Sequence, residues 1–326
     1  MTSGALGEFG RIARFFAPLA GPGALGLRDD AALVDCAPGQ RLVMTVDAMV
    51  EGVHYLPRDP PDLVARKLLR VNLSDLAAMG ARPLHYLLTT ALPKSFDDSW
   101  VERFAAGLAE DQRLFGVDLL GGDSVSTPGP ATLSLTAIGE VAAGAEIRRS
   151  GARPGDRIWV SGTIGDAYLG LKILRGDYPD LAAEYRAALA ARFRLPEPRT
   201  ALGPRLIGLA RAMQDISDGL VADLGHICEA SQIGATVELP ALPLSAAAGI
   251  IVAEGWTQPA SLATGGDDYE LLFTAPPEAD QGIAALSASL QLRITAIGRI
   301  ESGRGVRLVD AVGNPVPVAT AGYRHF

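Results

Sequence analysis

The sequence predicts an α/β fold (α+β in the wider sense) that is divided into two domains. Its 326 residues exceed one domain of ordinary size. Short apolar runs typical of strands alternate with longer segments in which apolar residues recur every three or four positions. A basic segment rich in glycine and proline, residues 148–156, interrupts this alternation near the middle of the chain. We therefore expect an N-terminal domain of residues 1–147 and a C-terminal domain of residues 148–326.

The composition excludes several classes of protein. Hydrophobic residues make up 48% of the chain and charged residues 20%, which is enough for a globular core. The net charge of −8 argues against nucleic-acid binding, which needs a basic surface. We expect no membrane span and no signal peptide, because the chain lacks both patterns. Cys36 and Cys228 form no CxxC pair, so we expect reduced thiols and a cytoplasmic location.

The N-terminal half contains alternating helix and strand patterns. Periodicity predicts helices over residues 8–20, from residue 62 to about 79, and over 98–115. Apolar runs predict strands over residues 31–34, 41–47, 85–92, from 118 to a break at Gly121-Gly122-Asp123, and over 131–141.

Residues 21–26 spell GxGxxG, the pattern of dinucleotide-binding proteins. In those proteins the glycines follow a strand and open a helix. Here a predicted helix precedes them. We therefore interpret this segment as a glycine-rich loop or lid.

The C-terminal half begins with a predicted strand over residues 157–161 and a helix over 166–174. The glycine-rich turn between them lacks the lysine of a P-loop, so we interpret it as mainly architectural. A helix is predicted over 178–193, and another starts near Asp215. Asp215 and Asp218 are three apart and would share a face at that helix start, unless they only cap it. Residues 264–270 predict an acidic, glycine-rich loop that enters a strand.

Asp75 lies on the apolar face of a predicted helix, together with Val71 and Met79. A carboxylate in such a position is costly unless it is paired, hydrogen-bonded or bound to a metal. Two interpretations remain open: an ion pair with Arg66 or Arg70, and a metal site.

Several other acids adjoin glycines or the ends of apolar strands. Glycines let a phosphate approach the backbone N–H groups, although a tight turn explains the same pattern. If the acids converge, their repulsion must be neutralised, and oxygen-only ligands suit Mg²⁺. Several Mg²⁺ ions around a triphosphate would support phosphoryl transfer without a covalent nucleophile. The acids are Asp29, Asp30, Asp47, Asp75, Asp123, Asp215 and Asp218.

A series of short motifs occurs in order along nearly the whole chain. It comprises Gly7-Glu8-Phe9, Asp29-Asp30-Ala31-Ala32, Thr45-Val46-Asp47, residues 72–80, Gly121-Gly122-Asp123, residues 149–152, 215–220 and 265–271, and the terminal Gly-Tyr-x-His-Phe. Together these motifs resemble those of the thiamine-monophosphate kinases. That family lies within the superfamily of ATP-dependent enzymes that includes aminoimidazole ribonucleotide synthetase and selenophosphate synthetase.

The resemblance implies an activity and an architecture. The activity is phosphorylation of thiamine monophosphate to thiamine diphosphate, the last step of its biosynthesis. ATP is the co-substrate, Mg²⁺ the cofactor, and the substrate phosphate attacks the γ-phosphorus in line. The implied architecture is the two-domain aminoimidazole ribonucleotide synthetase-like fold. In it, the N-terminal sheets of two subunits join as a barrel in a homodimer.

The resemblance also implies residue roles. Asp75, Asp123 and Asp215 would be catalytic. The ATP contacts would be Gly122, Asp123, Arg149 and Ser217. The contacts to thiamine monophosphate would be His54, Asp267 and Tyr323. The Mg²⁺ ligands would be Asp30, Thr45, Val46, Asp47, Asp75, Asp123, Asp215 and Asp218.

Two positions depart from the family pattern. Position 46 is commonly threonine and is Val46 here, so a metal contact there must use the backbone carbonyl. Asp267 replaces the usual glutamate and is one methylene shorter, which favours a water-mediated contact to the substrate.

Other functions remain as alternatives. One is a different ATP-dependent member of the superfamily, but a selenophosphate synthetase would carry a reactive cysteine before Asp29, and a hydrogenase-maturation relative a C-terminal cysteine. Another is a non-catalytic nucleotide-binding regulator, against which the acidic motif positions are intact except at Asp267. A two-metal phosphohydrolase, which needs no ATP, is the third.

Overall fold

The computed structural model describes residues 6–323. It divides into two compact units, Met1–Leu76 with Ala81–Ala143 and Ala77–Gly80 with Gly144–Phe326. Each unit contains helices and one open sheet, which confirms the α/β fold class. The predicted domain boundary after residue 147 stays a prediction. None of the helices in residues 6–323 is long and apolar enough to cross a membrane.

The first unit carries a four-stranded sheet. Its elements are α1 (Glu8–Arg11), β1 (Gln40–Val50), α2 (Pro61–Ala78), β2 (Arg82–Pro93), α3 (Asp98–Phe115), β3 (Asp118–Thr127) and β4 (Thr132–Ala142), with α2 ending in residues of the second unit. The strand order is β1-β4-β2-β3, so β1 and β3 are the outer strands. β2 and β3 run parallel and are joined through α3, whereas β4 pairs antiparallel with β1 and β2.

Three local predictions in this unit need correction. Residues 8–20 form a short α-helix followed by π and 3₁₀ turns rather than one helix. Residues 31–34 form no strand, because that short apolar run has no partner strand beside it. Gly121-Gly122-Asp123 does not break β3, which continues to Thr127 after a register shift opposite Tyr86 and Leu87.

The second unit carries a six-stranded mixed sheet in the order β10-β7-β9-β5-β8-β6. Its strands are β5 (Arg157–Ser161), β6 (Ala212–Asp215), β7 (Gly234–Glu238), β8 (Leu271–Ala275), β9 (Ile294–Glu301) and β10 (Gly305–Val309). Its helices are α4 (Asp166–Leu174), α5 (Ala183–Arg194), α6 (Leu220–Ser231), α7 (Ala246–Ala253), α8 (Pro259–Ala263) and α9 (Asp280–Leu290).

The predicted helix start at Asp215 is wrong. Asp215 is the last residue of β6, and α6 begins only at Leu220. Gly219 separates the two elements with a φ of 125°, a conformation that no helix contains. Asp215 and Asp218 therefore lie on a strand end and a loop rather than on one helical face.

A buried ion-pair network stabilises the first unit where α2 packs against α3. Asp111 on α3 is completely buried and accepts from Arg66 Nε at 2.9 Å and from Arg70 Nε at 2.6 Å. Arg66 also reaches the half-exposed Glu110 at 2.7 Å. Arg66 and Arg70 are the residues that the sequence offered as ion-pair partners of Asp75. Both of them bind the carboxylate of Asp111.

Replacing Asp111 with alanine is expected to destabilise the protein by about 3–5 kcal/mol, because two buried guanidinium groups lose their counter-charge. The free energy of unfolding is measured by urea titration.

The matched control is Glu110→Ala, which removes an exposed partner of Arg66 and should cost less than about 1 kcal/mol. Equal losses for the two variants would contradict a dominant role for the buried pair.

Candidate active site

The first group of predicted ligands lies where β1 passes α2. Thr45 Oγ1 donates to Asp75 Oδ2 at 2.5 Å, and the backbone N–H of Asp47 donates to Asn72 Oδ1 at 3.0 Å. Asn72 is fully buried and itself donates to the carbonyl of Leu68 at 2.9 Å. The helix therefore fixes Asn72, and Asn72 fixes the strand that carries Thr45 and Asp47.

The electrostatics of this group suit a divalent cation. Burial, and then the charge of the neighbouring Asp75, raise the pKa of Asp47 to about 6. A bound cation would reverse this effect, since an opposite charge favours the ionised carboxylate. The hydroxyl and carboxylate oxygens of Thr45, Asp47 and Asp75 are the hard donors that Mg²⁺ prefers. These residues fit the ion that the sequence predicts.

Val46 lies between two of these ligands, and its side chain is 60% exposed. That side chain has no ligand atom. A metal contact from position 46 must therefore use the backbone carbonyl, as expected from the valine in place of the family's usual threonine.

A second group of predicted residues lines a cavity of about 530 Å³ in the first unit. Asp29, Asp30, Gly122 and Asp123 all lie in its wall. Gly122 has a φ of 157°, and a Cβ there would overlap the carbonyl oxygen of Leu88 on β2. Only glycine fits this position, and its missing side chain leaves the backbone of β3 open toward the cavity.

The sheet keeps these two groups apart within one chain. Ala48, Ser134, Thr89 and Asp123 are successive partners across the four strands. Asp47, next to Ala48, therefore lies about 14 Å from Asp123 along the sheet, which is three strand spacings. The structure places Asp47 beside Asp75, and Asp30 and Asp123 in the wall of one cavity, but it does not bring these four predicted metal ligands together.

His54 follows the end of β1. Its Nδ1 accepts from the backbone N–H of Val50 at 3.0 Å, and its carbonyl accepts from Lys67 Nζ at 3.0 Å. The neutral ring therefore carries its proton on Nε2. This hydrogen bond fixes the orientation of the ring and leaves Nε2 as a donor.

In the second unit, Asp215 is buried at the end of β6, and the loop after it carries Ser217 and Asp218. The buried carboxylate of Asp223 on α6 holds this loop. Its Oδ2 accepts from the backbone N–H groups of Ser217, Asp218 and Gly219 at 3.0–3.1 Å, and its Oδ1 accepts from Gln214 at 2.7 Å.

Sequence reasoning missed the role of Asp223. Burial, and then the charge of Asp218, raise its pKa to about 7, while the three backbone N–H groups act in the opposite direction. An acid in the first turn of a helix that bonds back to preceding N–H groups resembles a capping box. Asp223 lies four residues after the N-cap Gly219, one more than the capping-box spacing, so that pattern did not signal its role.

Backbone hydrogen bonds join two distant segments to this loop. Asp267 N donates to Ser217 O at 2.8 Å, Tyr269 N donates to Ile216 O at 2.8 Å, and Tyr323 N donates to Asp218 O at 3.0 Å. Predicted ATP, metal and substrate residues are thereby brought together. The remaining residues of the terminal motif, 324–326, lie outside the described part of the chain.

The segment that carries Asp267 is conformationally strained. Asp267 and Tyr269 have φ values of 69° and 51°, a region of backbone conformation that residues other than glycine rarely adopt. The Tyr269 hydroxyl donates to Asp267 Oδ1 at 3.3 Å. Such strain concentrates at ligand sites, where the surrounding structure holds it in place.

The other two acids of this motif, Asp268 and Glu270, stabilise the fold. Asp268 is buried and accepts from Gly165 N at 2.7 Å at the start of α4. The anion at that helix N-terminus is therefore a side chain of the protein, which confirms that the preceding turn is architectural. Burial raises the pKa of Asp268 well above its usual value.

Glu270 is likewise buried. It accepts from Ser161 Oγ at 2.6 Å, from Arg199 Nε at 2.6 Å and from Arg192 Nη2 at 2.9 Å. Two arginines and a hydroxyl therefore satisfy this carboxylate in the interior.

Arg149 is exposed, and its carbonyl accepts from Ser231 Oγ at 3.4 Å. The preceding carbonyl, that of Arg148, accepts from Met213 N at 2.9 Å. This contact places Arg149 beside β6, the strand that ends at Asp215.

Comparison with known proteins identifies the family. The chain matches the family models described as AIR synthase related protein, N-terminal domain, over residues 28–141, and C-terminal domain, over residues 153–311. It is 45% identical over 309 residues to the thiamine-monophosphate kinase of Caulobacter vibrioides, covering 92% of this chain and 85% of that protein. The chain belongs to the thiamine-monophosphate kinase family.

Solved structures of relatives share the fold of this family member. The thiamine-monophosphate kinase from Stenotrophomonas maltophilia K279a is 40% identical, with a TM-score of 0.79 over 86% of this chain and 89% of that one. AaThiL complexed with AMPPCP and TMP is 32% identical, with a TM-score of 0.79 over 98% and 97%. The resemblance and the two-domain fold are confirmed, whereas the roles of individual residues stay predictions.

Substituting Gly122 with alanine is expected to distort β3 and lower the melting temperature by several degrees, because a Cβ at φ 157° meets the Leu88 carbonyl. Differential scanning calorimetry measures this change.

Gly121→Ala is the matched control, since its Cβ would meet only Leu87 Cδ2 at 3.6 Å. Similar melting temperatures for the two variants would show that position 122 has no special requirement for glycine.

Proposed function

We propose that this protein transfers the γ-phosphoryl group of ATP to thiamine monophosphate and forms thiamine diphosphate. The observation that carries the proposal is the likeness over nearly the whole chain to AaThiL, which was solved with AMPPCP and TMP. The two groups of oxygen ligands in the first unit and the Asp215–Asp218 loop in the second support it.

The reaction is a direct in-line transfer. An oxygen of the substrate phosphate attacks the γ-phosphorus, the bond from that phosphorus to the bridging oxygen breaks, and ADP leaves with that oxygen. The protein forms no covalent bond and contributes position and charge. Mg²⁺, when bound, neutralises the charge of the phosphates. Its proposed ligands are Asp30, Thr45, the carbonyl of Val46, Asp47, Asp75, Asp123, Asp215 and Asp218.

The substrates meet different parts of the chain. Gly122 leaves the backbone of β3 open to the phosphates of ATP. Arg149 and Ser217 are the further proposed ATP contacts. The His54 Nε2–H donates to thiamine monophosphate. Tyr323, which is 51% exposed, offers its ring for stacking. Asp267, one methylene shorter than glutamate, reaches the substrate through water.

The protein acts as a homodimer. Leu42, Met44 and Val46 expose an apolar stripe on β1, which is an outer strand of the four-stranded sheet. A second copy that continues the sheet would cover this face and close the two sheets into a barrel. Because Asp47 and Asp123 lie on the two outer strands, closure would also bring acids of different subunits closer.

The protein works in the cytoplasm. Both Cys36 and Cys228 are free thiols. A reducing compartment keeps such thiols in this state.

Chromatography of mixtures containing ATP, Mg²⁺ and thiamine monophosphate tests the activity, with thiamine as a parallel substrate. Thiamine diphosphate should form only from the monophosphate, with one ADP released for each product.

ATP binding without product would instead favour a regulator or a sister substrate. Phosphate released from the substrate in the absence of ATP would favour a phosphohydrolase.

Asp75→Asn is expected to reduce turnover about a hundredfold or more, because it removes a charge that balances the metal ions and phosphates. Steady-state kinetics measures this loss, and circular dichroism checks that the fold persists.

The control is Asp62→Asn on the same helix, where the acid pairs with Arg103 at the surface. Its turnover should match that of the parent protein, and near-normal turnover of a folded Asp75→Asn would rule out the shared-metal model.

A further inference from the structure

The loop between β6 and α6, residues 216–219, is held from one side by a single carboxylate. Oδ2 of Asp223 accepts from three consecutive main-chain N–H groups of this loop. A run of N–H groups that converge in this way binds an anion, and here the anion is a side chain of the protein itself. These N–H groups are therefore occupied, and the carbonyl groups of the loop remain to bind other segments.

Gln214 fixes the orientation of that carboxylate. Its Nε2 donates to Oδ1 of Asp223 at 2.7 Å, while its own Oε1 is buried and has no hydrogen-bond partner among residues 6–323. A buried amide oxygen without a partner is costly. Turning the amide over would not remove this cost, because it would place the oxygen against the carboxylate. Gln214 therefore keeps Nε2 on Oδ1, and Oδ2 faces the loop.

The two segments that carry the predicted substrate contacts both pack against the carbonyl groups of this loop. Asp267 N donates to Ser217 O at 2.8 Å, and a Cβ on Gly266 would overlap that same oxygen. Tyr323 N donates to Asp218 O at 3.0 Å, and a Cβ on the glycine before Tyr323 would overlap that oxygen too. In each case a glycine lets the segment approach until main chain touches main chain. The position of the loop therefore sets the positions of both segments.

We propose that Asp223 is a positioning residue for the reaction and that it sets the places of the ATP-side and substrate-side residues through this one loop. Ser217 and Asp218 belong to the loop, and Asp267 and Tyr323 are bonded to its carbonyl groups. A loop released from Asp223 would displace all four together. This inference rests on the proposed kinase function, to which it adds a residue that acts through the loop rather than on a substrate.

Steady-state kinetics of the full-length Asp223→Ala variant tests the proposal. Its kcat/KM should fall about a hundredfold, because misplacing substrate-positioning groups by about 1 Å costs this much. The KM for ATP and the KM for thiamine monophosphate should both rise. A variant that only unfolds in part would instead lose kcat at unchanged KM, since its folded fraction would bind normally. Circular dichroism measures that fraction.

Formate replaces the missing carboxylate and provides a rescue. It should restore part of the kcat/KM of Asp223→Ala by binding the vacated N–H groups, in comparison with chloride at the same ionic strength. Asp310→Ala is the matched control. Asp310 is exposed and accepts from the main-chain N–H groups of Val312 at 3.0 Å and Asn314 at 2.8 Å, in a turn that carries none of the predicted contacts. This control should keep the parental kinetics and not respond to formate.

Hydrogen exchange tests the positioning without reference to activity. The amides of residues 217–219, 267–269 and 323 should exchange faster in Asp223→Ala, because they bond either to Asp223 or to the loop that it holds. Asp223→Asn is a second variant, which keeps the size of the side chain and one acceptor oxygen and should show smaller changes of the same kind. Parental KM values in both variants, a rise in only one of the two KM values, or no response of Asp223→Ala to formate would overturn the proposal.

The two proposals fail separately. A parent protein that forms no thiamine diphosphate would lose the kinase function, while faster exchange at residues 267–269 and 323 in Asp223→Ala would still support the positioning role. A parent protein that forms thiamine diphosphate, with parental KM values and parental exchange in Asp223→Ala, would retain the function and lose the positioning role.

Discussion

Repulsion between closely spaced carboxylates is the constraint on which this structure depends. The acids form two groups that differ in how their negative charge is balanced. Asp111 and Glu270 are buried against two arginines each, so their charge is cancelled inside the fold. Asp47 lies beside Asp75, and the pKa of Asp47 rises to about 6 as a result of burial and of that neighbour. The charge that remains there is available to a cation and its phosphate ligand.

In the second unit, hydrogen bonds hold the irregular loop after β6 in one conformation. Asp223 gathers three N–H groups of the loop after β6, and the segments at 267–269 and 323 bond to the carbonyls of the same loop. Each polar backbone group that the loop would otherwise expose finds a partner. Residues far apart in sequence thereby become one rigid surface, and Tyr323 is fixed to it through its main chain.

The regular elements could be predicted because their patterns are local. The helices from residue 62 and over 98–115, and the strands at 41–47 and 157–161, follow from periodicity and were found. The assignment around Asp215 failed because a spacing of three fits a strand end plus a loop as well as a helix. The cavity beside Gly122 depends on contacts between distant segments, which no local pattern encodes. The contacts of Asp223 are local, but they form around an irregular turn rather than at the usual capping-box spacing.

The three acids between Asp267 and Glu270 have different roles in the structure. Asp268 caps α4 and Glu270 binds Arg192 and Arg199, so both point into the interior, where length and charge are fixed by their partners. Asp267 donates its backbone N–H to Ser217 of the neighbouring loop, and its carboxylate accepts from the Tyr269 hydroxyl. The described contacts place Asp267 in neither the α4 cap nor the pairs with Arg192 and Arg199. An exchange of glutamate for aspartate at this position would therefore alter a predicted substrate contact and leave the partners of Asp268 and Glu270 in place.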